Sequence, residues 1–129
     1  MRRVVCVWLP DWPITVWRRS HQAAAPPRPE AFALIARGPR GLTLSALNDA
    51  ARAAGLRREQ SHADACAILP DLASAPAEPE RDLDALRRLA LWAERFSPSV
   101  ALDRSGAEPA GLFLDMTGAA HLFGGEAAL

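Results

Sequence analysis

Residues 4–13, VVCVWLPDWP, decide how the rest of the chain is read. The first half is an unbroken apolar run with no polar alternation. Such a run predicts a strand buried on both faces, and so a central strand of a sheet. The second half changes character at once. Asp11 is a candidate helix N-cap, and Pro13 falls in the first helical turn, where a missing N–H is tolerated. A strand that passes directly into a helix marks a chain of mixed α and β structure. The end of such a strand is also where open α/β sheets place their ligands. Here that end offers two Trp, two Pro and one carboxylate.

Working outward, the helix begun at Asp11 is predicted to run to about His21. Residues 23–30, AAAPPRPE, form a loop, because three prolines cannot continue a helix. AFALIAR (31–37) reads as a second strand and GPRG (38–41) as a turn. SALNDAARAAG (45–55) reads as a short Ala-rich helix closed by Gly55. SHADACAILP (61–70) opens with Ser61 and carries Asp64 three residues on, a capping spacing, and Pro70 ends it. ASAPAEPE (73–80) is linker-like, with room for a short strand before it. Residues 81–96 give the clearest helix, with Leu83, Leu86, Leu89, Ala90, Ala93 and Phe96 on one stripe. SVALD (99–103) and GLFLDMT (111–117) are two more strands. The last stretch, HLFGGEAAL (121–129), is a loop entering a helix too short to stand alone, so the fold is expected to extend past it. The predicted order, β-α-β-α-α-α-β-β, implies helices packed on one face of a mixed sheet.

With 129 residues, 50% of them hydrophobic, the chain is one domain or part of one. No apolar run approaches the ~20 residues of a membrane span. The N-terminus lacks a signal-peptide layout, which leaves the cytoplasm as the expected compartment. Cys6 and Cys66 lie far apart and are expected to be buried, reduced core residues. The zero net charge hides a split: up to Arg58, ten Arg face three acids, a surplus of +7, and the remainder carries −7. The split implies either a basic face for nucleic acid or two ordinary solvated faces. All fifteen basic residues are Arg, which fits a coding bias as well as any function.

Two-metal phosphoryl or nucleotidyl transfer needs two or three carboxylates at strand ends, holding cations ~4 Å apart. The candidates are Asp11, Asp103, Glu108 and Asp115. Asp11 reads better as a helix cap, Asp103 and Glu108 as solvated loop flanks, and Asp115 as a turn residue before Thr117-Gly118. The one Asp-x-Asp pair, Asp82 and Asp84, falls in the helix predicted over 81–96 and not at a strand end, and no Asp-Glu dipeptide occurs. His21, His62 and His121 are isolated, and the chain has no nucleophile elbow and no Gly-rich phosphate loop. FGGE (123–126) reads as a tight turn. Arg52 can be read as a bidentate phosphate contact or as an ordinary solvated helix residue.

Several stretches together resemble the Y-family DNA polymerases. LSALNDAARAAGLRREQSHADACAILPDL (44–72) is similar to the family's nucleotide-facing helix, its A-R-x-x-G stretch and the A-x-x-(I/L)-x-P that follows. VALDRSGAEPAGLFLDMTGAAHLFGGEAAL (100–129) is similar to the catalytic hairpin, which typically reads S-I-D-E-A-(Y/F)-L-D. RVVCVWLPDW falls where the family has a hydrophobic-D-x-D strand. The ending D-M-T-G-A-A-H-L-F-G-G-E resembles the non-catalytic, ImuB-type branch.

Carried over by the resemblance, the two metal-binding positions of the first strand fall at Trp8 and Pro10. The Asp-Glu pair of the hairpin falls at Ala110 and Gly111. None of the four can ligate a cation. The Tyr that contacts an incoming triphosphate falls at Asp49, whose carboxylate would repel phosphate, and only Arg52 matches that contact set. The resemblance implies an α+β fold: a ferredoxin-like palm, β-α-β-β-α-β, truncated at its C-terminus and spanning 1–42 and 73–129. A small helical fingers segment, 43–72, is inserted into it. It further implies a non-catalytic scaffold in damage-induced mutagenesis, translesion synthesis and DNA repair, with no catalytic residues and no cofactor. The partners implied are primer-template or damaged DNA, bound weakly, the sliding clamp, an ImuA-type protein and an error-prone replicative polymerase, mostly through regions beyond this chain. Two alternatives stay open. One is an active nucleotidyltransferase using Mg²⁺ on displaced carboxylates. The other is a truncated interaction module without a DNA role.

Overall fold

The computed structural model describes residues 2–27, 30–103, 111–125 and 127. The elements, in chain order, are β1 (Val4–Trp8), α1 (Trp12–Ser20), β2 (Phe32–Gly38), β3 (Gly41–Leu47), α2 (Asp49–Ala53), α3 (His62–Ile68), β4 (Ala73–Pro76), α4 (Pro79–Ala93), β5 (Val100–Asp103) and β6 (Gly111–Asp115). A 3₁₀ turn, Ala120–Phe123, follows β6. The strands form two three-stranded sheets, β1-β6-β5 and β3-β2-β4, instead of the single mixed sheet expected. The chain divides into two compact units, Asp11–Asp82 and the pair of segments Met1–Pro10 and Leu83–Leu129.

In the Asp11–Asp82 unit, β2 is the central strand. It pairs antiparallel with β3 and parallel with β4. Side chains alternate across a strand, so β2 feeds two clusters. Phe32 and Leu34 join Ile14 and Trp17 of α1. Ala33 joins Leu44, Ala51 of α2, Leu56 and Ala65 of α3. Strand β3 replaces the first turn of the helix predicted over 45–55, and α2 keeps only five residues. The hairpin turn at Gly38–Gly41 aligns Leu44 and Leu47 with the core, and burying them there outweighs the helix propensity of an Ala-rich stretch too short to nucleate. The outer edge of β3 is paired as well: the Leu44 N–H donates to Gln60 O at 2.9 Å and the Glu59 N–H to Leu44 O at 2.8 Å. Strand β4 lies in the stretch read as linker, at a sheet edge where Pro76 is tolerated. The caps follow the sequence. Ser61 accepts from the Asp64 N–H at 3.0 Å, and Gly55 takes a φ of 94° after α2.

In the other unit, β6 is central and β1 pairs with β6 alone among the described residues. The expected central strand is thus an edge, and four of its five residues are exposed. Val5 and Val7, with Leu112 and Leu114 of β6, share a groove with Leu89 and Ala93 of α4. The opposite face presents Val4, Cys6 and Trp8, paired in register with Asp115, Phe113 and Gly111. Cys6 is therefore exposed, and Cys66 is half-buried 3.4 Å from His62 Nε2, so neither thiol is the core residue expected. Helix α4 starts two residues before the predicted 81 and ends at Ala93, with Leu86 and Ala93 buried. The charge split does not map onto the two units: one holds nine Arg and nine acids, the other six and six. No helix among the described residues is long and apolar enough to cross a membrane.

Candidate functional site

The sequence points to two places, one in each unit. The first is the strand end of β1 facing the start of β6. Antiparallel pairing sets Trp8 directly opposite Gly111, and β5 sets Asp103 opposite Gly111 on the other side. Two of the positions that the resemblance assigns to metal ligands are thus cross-strand neighbours. Trp8 is 71% exposed. Gly111 is buried, and a Cβ built there would stand 2.5 Å from Val7 O. No side chain fits at that distance without moving the backbone, so the glycine is demanded by the close approach of β1. Pro10 is exposed in the turn after β1. Ala110 and Glu108 lie outside the described residues. An indole, a glycine and a proline carry no oxygen ligand for a hard divalent cation. The donor set does not fit the Mg²⁺ that the fold family implies. Among the described residues no group of three His, Cys, Asp or Glu could hold a metal ion.

Asp115, at the far end of β6, sits where the sequence placed it. Its Oδ1 accepts the Thr117 N–H at 3.0 Å. Hydrogen bonds from the Thr117 side chain and then its backbone hold the Asp115 carboxyl below the ordinary carboxylate value.

The second place is the start of α2 in the Asp11–Asp82 unit. Arg52 Nη1 donates to Asp49 Oδ1 at 2.8 Å, and Nη2 donates to Leu47 O at 2.9 Å. Nη2 also binds the Asp11 carboxylate. Arg52 is thus an exposed residue of α2 whose guanidinium is already engaged by acceptors. Its guanidinium is held by two carboxylates, and the hydrogen bond it donates to Asp11 is the main cause of its raised pKa, with burial opposing. Asp11 stands at the N-cap position of α1, yet its side chain makes no capping bond. Two features explain the departure. Pro13 removes one of the N–H groups a cap would accept, and a guanidinium offers a stronger, charge-assisted partner.

Asn48 was missed by the sequence reading, which placed it inside a helix. It caps α2 by accepting from the Ala51 N–H at 2.9 Å. The same Oδ1 accepts from the Phe32 N–H at 3.0 Å, and Nδ2 donates to Glu30 O at 2.7 Å. The signal was present: Asn followed directly by Asp is a strong helix start. Asp11, Asn48 and Asp49 line a cavity of about 720 Å³ that continues along α1 past Thr15, Arg18 and Arg19.

Comparison with solved structures defines the class. The fold matches an insertion ternary complex of Dbh DNA polymerase, with a TM-score of 0.77 over 94% of this chain and 34% of that one, at 14% identity. DinB from Sulfolobus solfataricus gives 0.72 over 94% and 33%, at 12% identity. A Y-family DNA polymerase chimera built on Dbh gives 0.72 over 94% and 34%, at 15% identity. The chain thus has the mixed α/β fold of the palm-containing part of a Y-family polymerase. In sequence it is a homologue of Protein ImuB of Caulobacter vibrioides, 51% identical over 75 residues in each of two strains. Those residues are 58% of this chain and 16% of ImuB, so the match spans about one sixth of the relative's length. No protein-family model matches.

Proposed function

We propose that these residues form palm and fingers of a non-catalytic Y-family polymerase homologue that binds DNA and makes no phosphodiester bonds. The palm is assigned to 1–42 and 73–129 and the fingers to 43–72, in a cytoplasmic protein acting in damage-induced mutagenesis, translesion synthesis and repair. The carrying observation is the Trp8–Gly111 pair, with a Cβ at Gly111 falling 2.5 Å from Val7 O. Two-metal catalysis places its transition-state charge on cations anchored by carboxylates. At these positions an indole and a bare backbone replace the anchors. Asp11 supports the same reading, because it occupies the one guanidinium, Arg52, that matches the triphosphate contact set. The sliding clamp, an ImuA-type protein and an error-prone replicative polymerase are the proposed partners.

The rival reading, an active nucleotidyltransferase with displaced carboxylates, rests on Asp103, which lies across from Gly111. One carboxylate there does not supply the two or three that a pair of cations needs. The DNA-binding half of the proposal is tested by titrating the protein with primer-template DNA at several salt concentrations. Phosphate contacts predict an affinity that falls steeply with salt, by a log–log slope of about −0.9 per contact. A salt-independent or undetectable interaction would favour an interaction module without a DNA role.

A further inference from the structure

The cavity beside α1 holds a second cationic group that the polymerase reading leaves unused. Arg18 and Arg19 form part of the last turn of α1 and both line the cavity, with Gln22 beyond them. Arg18 is fixed from one side only. Its Nη1 donates to Pro26 O at 2.7 Å, while its Nη2 is buried and has no hydrogen-bond partner among the described residues. A buried donor of a charged group left unsatisfied is costly, and few such donors persist without reason. The carboxylates on the same cavity do not serve it: Asp11 and Asp49 are both taken by Arg52. Asp49 is also 95% exposed, so water screens its charge. Arg52 is not on the cavity lining, and with Asp11 and Asp49 bound to it, Arg18 and Arg19 are the cationic groups that line the cavity among the described residues.

We propose that the Arg18 end of the cavity is a phosphate-binding site, with Arg18 as its principal contact and Arg19 and Gln22 beside it. Two adjacent guanidiniums match a dianion with several acceptor oxygens better than a single carboxylate, and a planar fork anchored at Nη1 loses little freedom on binding one. The carbonyl of Pro26 fixes that fork before any ligand arrives. The phosphoryl group can come from a free nucleotide or from a DNA backbone. Only the second source rests on the DNA-binding reading above, and the site itself does not depend on it.

The test is a titration with inorganic phosphate, pyrophosphate, a deoxynucleoside triphosphate and a single-stranded oligonucleotide without terminal phosphates, following the Arg18 side-chain N–H signals by NMR. Arg18→Met keeps the aliphatic stem and removes the guanidinium; Arg40→Met, in the β2–β3 turn, controls for general loss of charge. Phosphate and pyrophosphate are expected to shift the Arg18 signals, and Arg18→Met to weaken binding by roughly tenfold, the scale of one charge-assisted contact, with Arg40→Met unchanged. Binding of the triphosphate but not the oligonucleotide assigns the site to free nucleotides. Binding of both, with the oligonucleotide's salt slope reduced by about 0.7 in Arg18→Met, assigns it to DNA. Should Arg18→Met fail to fold, the shifts in the unaltered protein decide alone. Arg18 signals unmoved by all four ligands, or equal weakening in both variants, would overturn the proposal. Loss of DNA binding with phosphate binding retained would instead count against the DNA-binding reading.

Discussion

Asn48 joins two elements through a single side chain. One carboxamide serves the Phe32 N–H, the Ala51 N–H and the Glu30 carbonyl, tying the start of β2 to the start of α2. Removing it strands the N–H of Phe32, which is 1% exposed. Asn48→Ala is therefore expected to lower unfolding stability by about 1–3 kcal/mol in denaturant titration; a loss no larger than that of an exposed helix substitution would contradict the role. Asp115 gives a pH-dependent counterpart. Its folded pKa lies below the ordinary 3.8, so its stabilisation is complete above that value and is lost as pH falls through the lower folded one. Comparing the protein with Asp115→Asn in thermal melts from about pH 6 to pH 2 should show the stability gap closing as the solution is acidified. A gap constant with pH would show that the Thr117 bonds do not depend on the charge. Both residues are polar groups whose value comes from partners at fixed distances, and sequence could place Asp115 only because its partner lies two residues away.

At the scale of elements, the β1–β6 pair packs one face toward α4 and sets Trp8 opposite Gly111 at its end. Val5, Val7, Leu112 and Leu114 still line the groove shared with α4, while the other face carries Trp8 and Gly111. Restoring carboxylates should be unequal in cost. Trp8→Asp changes an exposed side chain and should be near neutral, whereas Gly111→Glu forces a Cβ onto Val7 O and should cost about 1–3 kcal/mol, the usual penalty of overpacking. Equal stability of the two variants in urea unfolding would mean that the strands separate readily and that Gly111 is not a barrier to a ligand. The elements legible in sequence were those with local signals: α1 with its prolines, α3 with Ser61, β2, β5 and β6 with their apolar runs. Strand β3 was not legible, because Ser45, Ala46 and Leu47 suit a helix locally and become a strand only through the β2 hairpin. The short β4 depends on parallel pairing with a strand some forty residues earlier. Edge position hid itself in the same way. A run as apolar as β1 looks central until its neighbours are known.

For the molecule as a whole, the proposed reading separates fold from activity. The fold agrees with Y-family polymerases at TM-scores above 0.7 with 12–15% identity, so the architecture survives nearly complete replacement of side chains. Two-metal chemistry depends on a few oxygens at strand ends, and the positions that the resemblance assigns to them here include Trp8 and Gly111. The Arg52 cluster points the same way, since Asp11 and Asp49 fill the hydrogen-bonding capacity a triphosphate would use. The central claim, a polymerase fold that no longer polymerises, is tested most directly by primer extension with the four deoxynucleotides and either Mg²⁺ or Mn²⁺. The account predicts no template-directed incorporation above the background of a no-protein control with either cation. Robust incorporation that disappears in Asp103→Ala would contradict it, and would assign catalysis to a carboxylate displaced across the strand from Gly111.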